Sequence, residues 1–199
     1  MKYRVNEIFY SPQGEGLRAG SMNVFVRFSG CNLSCSADGP EGFDCDTEFT
    51  SGVFYETQEL IQAIKEAGGV CEWVILTGGE PGLQVDQELV NALGHEGYRI
   101  AIETNGTKAL PKGIEWISCS PKTAEHTLRV GRVNELRYVR NAGQGIPKPS
   151  LQADHLFLSP AATADGAIDR PSLAHVLTLI SDNPTWRISV QQHKSWRVR

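Results

Sequence analysis

The chain has 199 residues, 40% of them apolar and 21% charged, which makes one ordinary folded domain over 1–199 rather than two large ones, with no need of disulfides. Nineteen basic residues against 23 acidic ones leave a net charge of −4, which removes a global electrostatic case for binding nucleic acid or an acidic membrane. No apolar run approaches the roughly 18 residues that span a bilayer, and the opening residues lack the apolar region of a signal peptide, so a cytoplasmic protein is expected.

Residues 3–9 alternate as a strand does, and the run Ser11-Pro12-Gln13-Gly14-Glu15-Gly16 that follows reads as a polar loop. Residues 23–29 are β-branched and aromatic and predict a second strand. Its alternation puts Val24, Val26 and Phe28 on one face and Phe25, Arg27 and Ser29 on the other. Residues 30–53 read as irregular. Thr57 is placed to cap a helix whose apolar stripe is Leu60, Ile61 and Ile64. A buried strand at 73–76 ends at Gly78-Gly79, and a helix covers 87–93. Strands follow at 99–102, 114–117, 133–139 and 155–158. A helix at 171–180, with Pro171 in its first turn, leads to a last strand at 186–190.

Strands that alternate with helices or loops predict an α/β fold with a largely parallel sheet. About three helices stand against six or seven strands, and a full eightfold barrel typically needs about 250 residues. The expected architecture is therefore a partial, open parallel β/α barrel. Polar residues collect just after the strands: Cys31, Thr77 to Glu80, Glu103 to Asn105, Ser120 to Lys122, Ser159, and Gln191 to His193. In parallel folds such positions share one rim, where active sites are built. The plainer alternative is that loops after strands are simply polar.

Three of the five cysteines fall in the pattern Cys31-x3-Cys35-x9-Cys45. In a reducing compartment three thiols on one irregular loop point to a soft metal or an iron–sulfur cluster. A zinc site wants a fourth ligand, and none is evident nearby. Three unrelated buried thiols are the alternative. Cys71 sits at a helix-to-strand junction and reads equally as a small buried hydrophobe, and Cys119 lies on another element.

Cys31-Asn32-Leu33-Ser34-Cys35, with Cys45-Asp46-Thr47 beyond it, resembles the radical S-adenosylmethionine (SAM) cysteine motif C-x3-C-x2-C, its second gap enlarged to nine residues. The resemblance implies a [4Fe–4S] cluster on Cys31, Cys35 and Cys45. It also implies SAM chelated to the open iron and its reductive cleavage to a deoxyadenosyl radical. Leu76-Thr77-Gly78-Gly79-Glu80-Pro81 resembles the segment that receives the SAM amino group. There Gly78 and Gly79 would allow close backbone approach and Glu80 would be an anionic acceptor. Glu103-Thr104-Asn105-Gly106 resembles the segment that holds the SAM ribose, through Glu103 and Asn105. Ser120-Pro121-Lys122 resembles the segment at the SAM carboxylate, through Ser120 and Lys122.

Within that superfamily the chain is similar, from Ile8 to Lys194, to the 7-carboxy-7-deazaguanine synthases. The likeness is carried by the Gln13-Gly14-Glu15-Gly16 loop, by Arg27 four residues before Cys31, by Cys45-Asp46-Thr47, and by Gln191-Gln192-His193-Lys194. It implies conversion of 6-carboxy-5,6,7,8-tetrahydropterin to 7-carboxy-7-deazaguanine with ring contraction and loss of ammonia. It also implies Mg²⁺ on the Thr47 hydroxyl, a flavodoxin-like electron donor and a homodimer, while the charge and the apolar runs already argue against direct contact with nucleic acid or membrane. The carboxypterin would meet Gln13, Glu15, Gly16, Arg27, Thr77 and His193. Six residues follow His193, which puts the carboxylate of Arg199 within reach of the same ligand.

Two positions depart from the family. The residue before the third Cys, usually aromatic, is Asp44, with Phe43 one further back. Leu158-Ser159-Pro160 stands where the family often has a Gln-Pro pair. Three other readings stay open. A glycyl-radical-enzyme activase is argued against by Gln13, Glu15 and Arg27. A zinc-stabilised binding module leaves Glu80, Glu103 and Lys122 without a shared role. The third is a family member whose altered loop holds no cluster.

Overall fold

The computed structural model describes residues 2–36, 45, 47–163 and 166–199. Among them nine strands form one sheet: β1 (Lys2–Pro12), β2 (Met22–Phe28), β3 (Val53–Glu56), β4 (Trp73–Gly78), β5 (Arg99–Thr104), β6 (Trp116–Cys119), β7 (Val133–Arg140), β8 (Ala153–Pro160) and β9 (Trp186–Ile188). The order is β3-β1-β2-β4-β5-β6-β7-β8-β9. β1 is antiparallel to both of its neighbours, β3 and β2, and from β2 to β9 every neighbouring pair is parallel. The helices are α1 (Thr57–Gly68), α2 (Gln87–His95), α3 (Arg170–Asp182) and the short α4 (Gln192–Trp196).

The two edge strands do not pair with each other, yet the loop after β1 touches residues after β9. Gly16 N–H donates to Ser189 Oγ at 2.9 Å, and Gln192 N–H donates to the Gly14 carbonyl at 2.9 Å. Elements from opposite ends of the strand order meet only if the sheet curls. The result is an open barrel with the 13–17 loop lying across the gap.

Strand alternation divides the side chains between the two surfaces of this curl. Outward go Val24, Val26, Phe28, Val74, Leu76, Ile100 and Ile102, all buried against Leu60, Ile61 and Ile64 of α1 and Leu89, Val90 and Leu93 of α2. A second outer cluster joins Leu136, Tyr138 and Leu158 to Val176 of α3 and Trp186. Inward, Phe9, Phe25, Ile75 and Ala101 form a small apolar floor, with the Phe9 and Phe25 rings stacked 5.0 Å apart.

The helices start where side-chain acceptors satisfy their first N–H groups. Asp86 accepts from Leu89 N–H at 2.9 Å and from the Tyr3 hydroxyl at 2.9 Å, so the α2 cap also ties the helix to β1. At α1 the cap is Glu56, not Thr57. Glu56 and Glu59 form a reciprocal capping box, and the Thr57 hydroxyl inside the first turn donates to Glu88 at 2.5 Å. β3 follows a stretch read as irregular. It is short and exposed (Val53 and Phe54 each 62%) and lacks a clear alternation, so it gives little local signal. α4 has five residues, too few for a periodic pattern. β6 begins at Trp116 rather than 114 and runs on to Cys119, because its pairing with β5 carries it to the rim. Among the described residues no helix is long and apolar enough to cross a membrane.

Candidate active site

The parallel strands all end on one rim, where a cavity of about 1180 Å³ opens. Twelve of the expected site residues line it: Glu15, Cys31, Cys35, Cys45, Thr47, Thr77, Gly78, Gly79, Glu103, Asn105, Ser120 and Lys122. They come from six separate segments of the chain, so the rim reading holds over the plainer one. Arg137, Ser159, Ser189 and Gln191 also line it, and Arg170, Lys194 and Arg197 add further cations to the wall.

A row of polar side chains crosses the inner face of the sheet just above its apolar floor. Parallel register sets Glu103 beside Ser118 and Ser118 beside Glu135, with Arg137 two residues further along β7. The Glu103 carboxylate accepts from Gln13 Nε2 at 2.9 Å and Thr77 Oγ1 at 2.9 Å, and it pairs with Arg137 Nη2 at 3.2 Å. Burial by itself pushes the Glu103 carboxyl up. The Arg137 charge and these hydrogen bonds outweigh it and hold the group below the usual carboxylate range. Arg137 also pairs with the Glu15 carboxylate through Nη1. Burial pulls its guanidinium down, and the charges of Glu15, Glu103 and Glu135 more than restore it. Lys122 donates to the Ser120 carbonyl at 3.1 Å and hydroxyl at 2.5 Å. Burial first, and then Arg137, push the ammonium below its ordinary value.

The thiol side of the cavity is held by backbone contacts between strand ends. Gly79 N–H donates to the Phe28 carbonyl at 3.2 Å, and Glu80 N–H to the Gly30 carbonyl at 2.9 Å. The approach is so close that a Cβ on Gly78 or Gly79 would collide with the Phe28 and Gly30 backbone. Gly78 also takes φ 123°, which disfavours a side chain. Asn32 ties the thiol loop to the segment after β5, donating to Thr107 Oγ1 at 2.9 Å and accepting from Asn105 Nδ2 at 3.2 Å. Cys31, Cys35 and Cys45 form no disulfide and line one cavity. Burial raises the Cys31 thiol, against the lowering effect of the Leu33 N–H. Among the described residues no three His, Cys, Asp or Glu side chains converge on a single metal ion. A cluster of several irons is larger than one ion and suits thiols that stand apart around a cavity. The soft donor set and the glycine-lined wall beside it fit such a group and a ligand approaching backbone closely.

Cys71 is excluded from this wall, since its sulfur lies 3.5 Å from the Met22 carbonyl and 3.4 Å from the Trp73 carbonyl, at the opposite end of the strands. Cys119 is buried beneath Gly106, and burial pushes its thiol up to about 12.

Six expected residues stand off the cavity wall. Gln13 lies behind Glu103. Gly16, at φ 68°, packs so tightly on the Glu135 carboxylate that a side chain would collide with it. The His193 ring lies against Gly14. Arg27 donates from Nε to Glu7 Oε1 at 2.8 Å, and Glu7 Oε2 also holds Arg199 Nη1 at 3.0 Å. The Arg199 carbonyl oxygen accepts from Ser11 Oγ at 2.5 Å. The sequence reading made Glu80 an anionic acceptor for the SAM amino group; the residue is fully buried. Its carboxylate accepts from Gly82 N–H at 2.8 Å, Thr104 Oγ1 at 2.7 Å and Asn105 N–H at 2.7 Å. Burial raises its pKa against those hydrogen bonds. Of the two family departures, Phe43 and Asp44 lie outside the described residues. Leu158 is buried in the outer cluster while Ser159 and Pro160 line the cavity.

Sequence reasoning missed Glu135 and Arg137. Glu135 accepts from Leu17 N–H at 2.9 Å and from the Ser118 hydroxyl, fastening the 13–17 loop to β7. Two opposite charges two residues apart in a strand, on the face opposite Leu136 and Tyr138, were the available signal.

No family model matches the chain. It is 40% identical over 200 residues to the 7-carboxy-7-deazaguanine synthase of Bacteroides thetaiotaomicron, covering all of both chains. It is 38% identical to that of Nitratidesulfovibrio vulgaris, covering 98% of each. The crystal structure of QueE from Escherichia coli shares its fold with a TM-score of 0.68 at 24% identity, over 97% of this chain and 95% of that one.

Proposed function

Because the chain belongs to the 7-carboxy-7-deazaguanine synthase family, an enzyme family of queuosine biosynthesis, we propose that its rim cavity binds 6-carboxy-5,6,7,8-tetrahydropterin beside SAM and turns it into 7-carboxy-7-deazaguanine with ring contraction and loss of ammonia. The observation that carries this reading is the convergence of three cysteine side chains, the strand-end carboxylate Glu103 and the loop carboxylate Glu15 on one cavity.

Cys31, Cys35 and Cys45 would hold a [4Fe–4S] cluster, which together with SAM supplies one-electron radical chemistry when bound. Gly78 and Gly79 let the ligand lie against backbone. Glu80 works behind them, clamping the ends of β4 and β5 so that this cradle keeps its shape. Glu103, kept ionised by Arg137, Gln13 and Thr77, is an acceptor for the paired hydroxyls of the ribose, with Asn105 beside it. Lys122, with Ser120, is the cation for the SAM carboxylate, and burial makes it gain from an anionic partner.

On the pterin side Glu15 accepts from the ring's amino and N–H donors, and Gln13, Gly16, Thr77 and His193 shape that edge. Among the described residues Arg27 is hydrogen-bonded only through Nε, to Glu7. Its two terminal nitrogens are left for the substrate carboxylate. Thr47 offers its hydroxyl to Mg²⁺, and Arg199 stands beside Arg27 through their shared partner Glu7. A homodimer covering an open edge of the sheet, a flavodoxin-like electron donor and a cytoplasmic location belong to the same reading.

Anaerobic reconstitution with iron and sulfide, followed by reductant, SAM, Mg²⁺ and the carboxypterin, tests it by mass spectrometry. A brown protein that makes 7-carboxy-7-deazaguanine is expected. A brown protein that cleaves SAM and leaves the pterin untouched overturns the substrate, and a colourless protein holding zinc overturns the radical chemistry.

A further inference from the structure

Arg137 stands where the two halves of the cavity meet. It projects from β7 with 6% of its surface exposed. One edge of its guanidinium meets the Glu15 carboxylate, and Nη2 meets Glu103 Oε1 at 3.2 Å. Nε lies 3.7 Å from Glu135 Oε1 and makes no hydrogen bond. Among the described residues no other cation is within ion-pair distance of Glu15 or Glu103.

Two carboxylates on one buried wall repel each other, and each pays for lost hydration. A planar guanidinium presents several N–H groups in a fixed fork, so a single side chain can hold both carboxylates at a set separation. Lys122 does not substitute for it, being a compact charge pinned to Ser120. Glu103 belongs to β5 and Glu15 to the 13–17 loop, so Arg137 makes the loop and the strand end one mechanical unit. Glu135 reinforces that unit from below through the Leu17 N–H.

We propose that Arg137 is a positioning residue that couples the two ligand subsites, so that SAM at Glu103 and the carboxypterin at Glu15 strengthen each other's binding. The proposal rests on the ligand assignments made above. Hydroxyl donors that order Glu103 also order Arg137, and through it Glu15. The second ligand then meets a carboxylate already in place and has less freedom to remove. Linkage requires the effect to be equal in both directions.

The test is equilibrium binding of the carboxypterin to the anaerobic cluster-loaded enzyme, with and without saturating SAM and without reductant. In the unaltered protein SAM is expected to tighten carboxypterin binding about tenfold. Arg137→Met keeps the length and removes the charge, and the ratio should fall to about one, within twofold. Arg137→Lys keeps the charge and the fold, but its single ammonium cannot present two edges, so the ratio should fall about threefold or more. It decides the matter if the Met variant fails to fold. A merely structural role would weaken each ligand and leave the ratio alone. Either variant retaining the full ratio overturns the proposal, as does an unaltered enzyme that binds both ligands with a ratio of one. An unaltered enzyme that binds SAM and no carboxypterin overturns the substrate reading instead, and the proposal falls with it.

Discussion

The outer and inner faces of β2, β4 and β5 lie one residue apart along the same strands and carry different chemistry. Val26, Leu76 and Ile102 point outward into an apolar core closed by α1 and α2. Arg27, Thr77 and Glu103 are the next residue in each strand and lie on the other face. There the floor of Phe9, Phe25, Ile75 and Ala101 gives way to charge towards the rim. The outer face is stabilised mainly by buried apolar area and tolerates any well-packed apolar set. The inner face keeps Glu103 and Arg137 out of water because each has specific partners from a distant segment. Stability is therefore concentrated on one side of the sheet and specificity on the other.

The sharpest way to break that division is at the thiols. Replacing Cys31, Cys35 or Cys45 by Ala should abolish cluster loading and turnover, read by iron content and product formation, and leave the thermal midpoint nearly unchanged. Cys71→Ala, at the far end of the strands, should retain both.

Neighbouring residues in β4 give the next contrast. Leu76→Ala should cost about 2–5 kcal/mol in urea unfolding, because it opens a cavity in the outer core. Thr77→Val, which removes only the hydroxyl on Glu103, should cost about 1 kcal/mol and weaken SAM binding severalfold. Equal stability losses at the two positions would refute the two-face description. Asp86→Ala, on the outer side, should cost about 1 kcal/mol through the α2 cap and leave ligand affinities unchanged.

A smaller effect separates two carboxylates that are both withdrawn from bulk water. Glu103 is held below the usual carboxylate range, so its contribution to stability is present above the unfolded value of about 4.5 and is lost as pH falls through the lower folded value. Glu80 is raised, so its contribution is present below about 4.5 and is lost as pH rises through its higher folded value. Unfolding measured from pH 3 to 8 should therefore show opposite changes. Glu103→Gln removes a loss on the acid side, and Glu80→Gln removes a decline on the rising side.

Much of this was legible in the sequence because it is local. Alternating β-branched residues marked the strands that pair in parallel, and the stripe Leu60, Ile61, Ile64 marked α1. The cysteine spacing and the Gln-Gly-Glu, Gly-Gly-Glu and Glu-Thr-Asn segments pointed to one family before any coordinate was known. β3 and α4 were missed because four or five residues carry no usable period. The cap of α1 was misplaced by one residue because Glu56 caps through its partner Glu59 rather than as a lone hydroxyl.

The chain's own order of residues determined the strands, the outer core and the family, since each depends on a spacing or a short motif. Only the tertiary structure decided which polar groups face the cavity and which support it. Glu80 turned inward because three donors from Gly82, Thr104 and Asn105 surround it, and Cys71 was set apart because β4 starts at the far end from where Cys31 lies. Arg137 gained its place because curling the sheet brings the 13–17 loop, β5 and β7 to one point. No local pattern encodes that meeting, since the energy of a buried charge is set by partners more than thirty residues away in sequence.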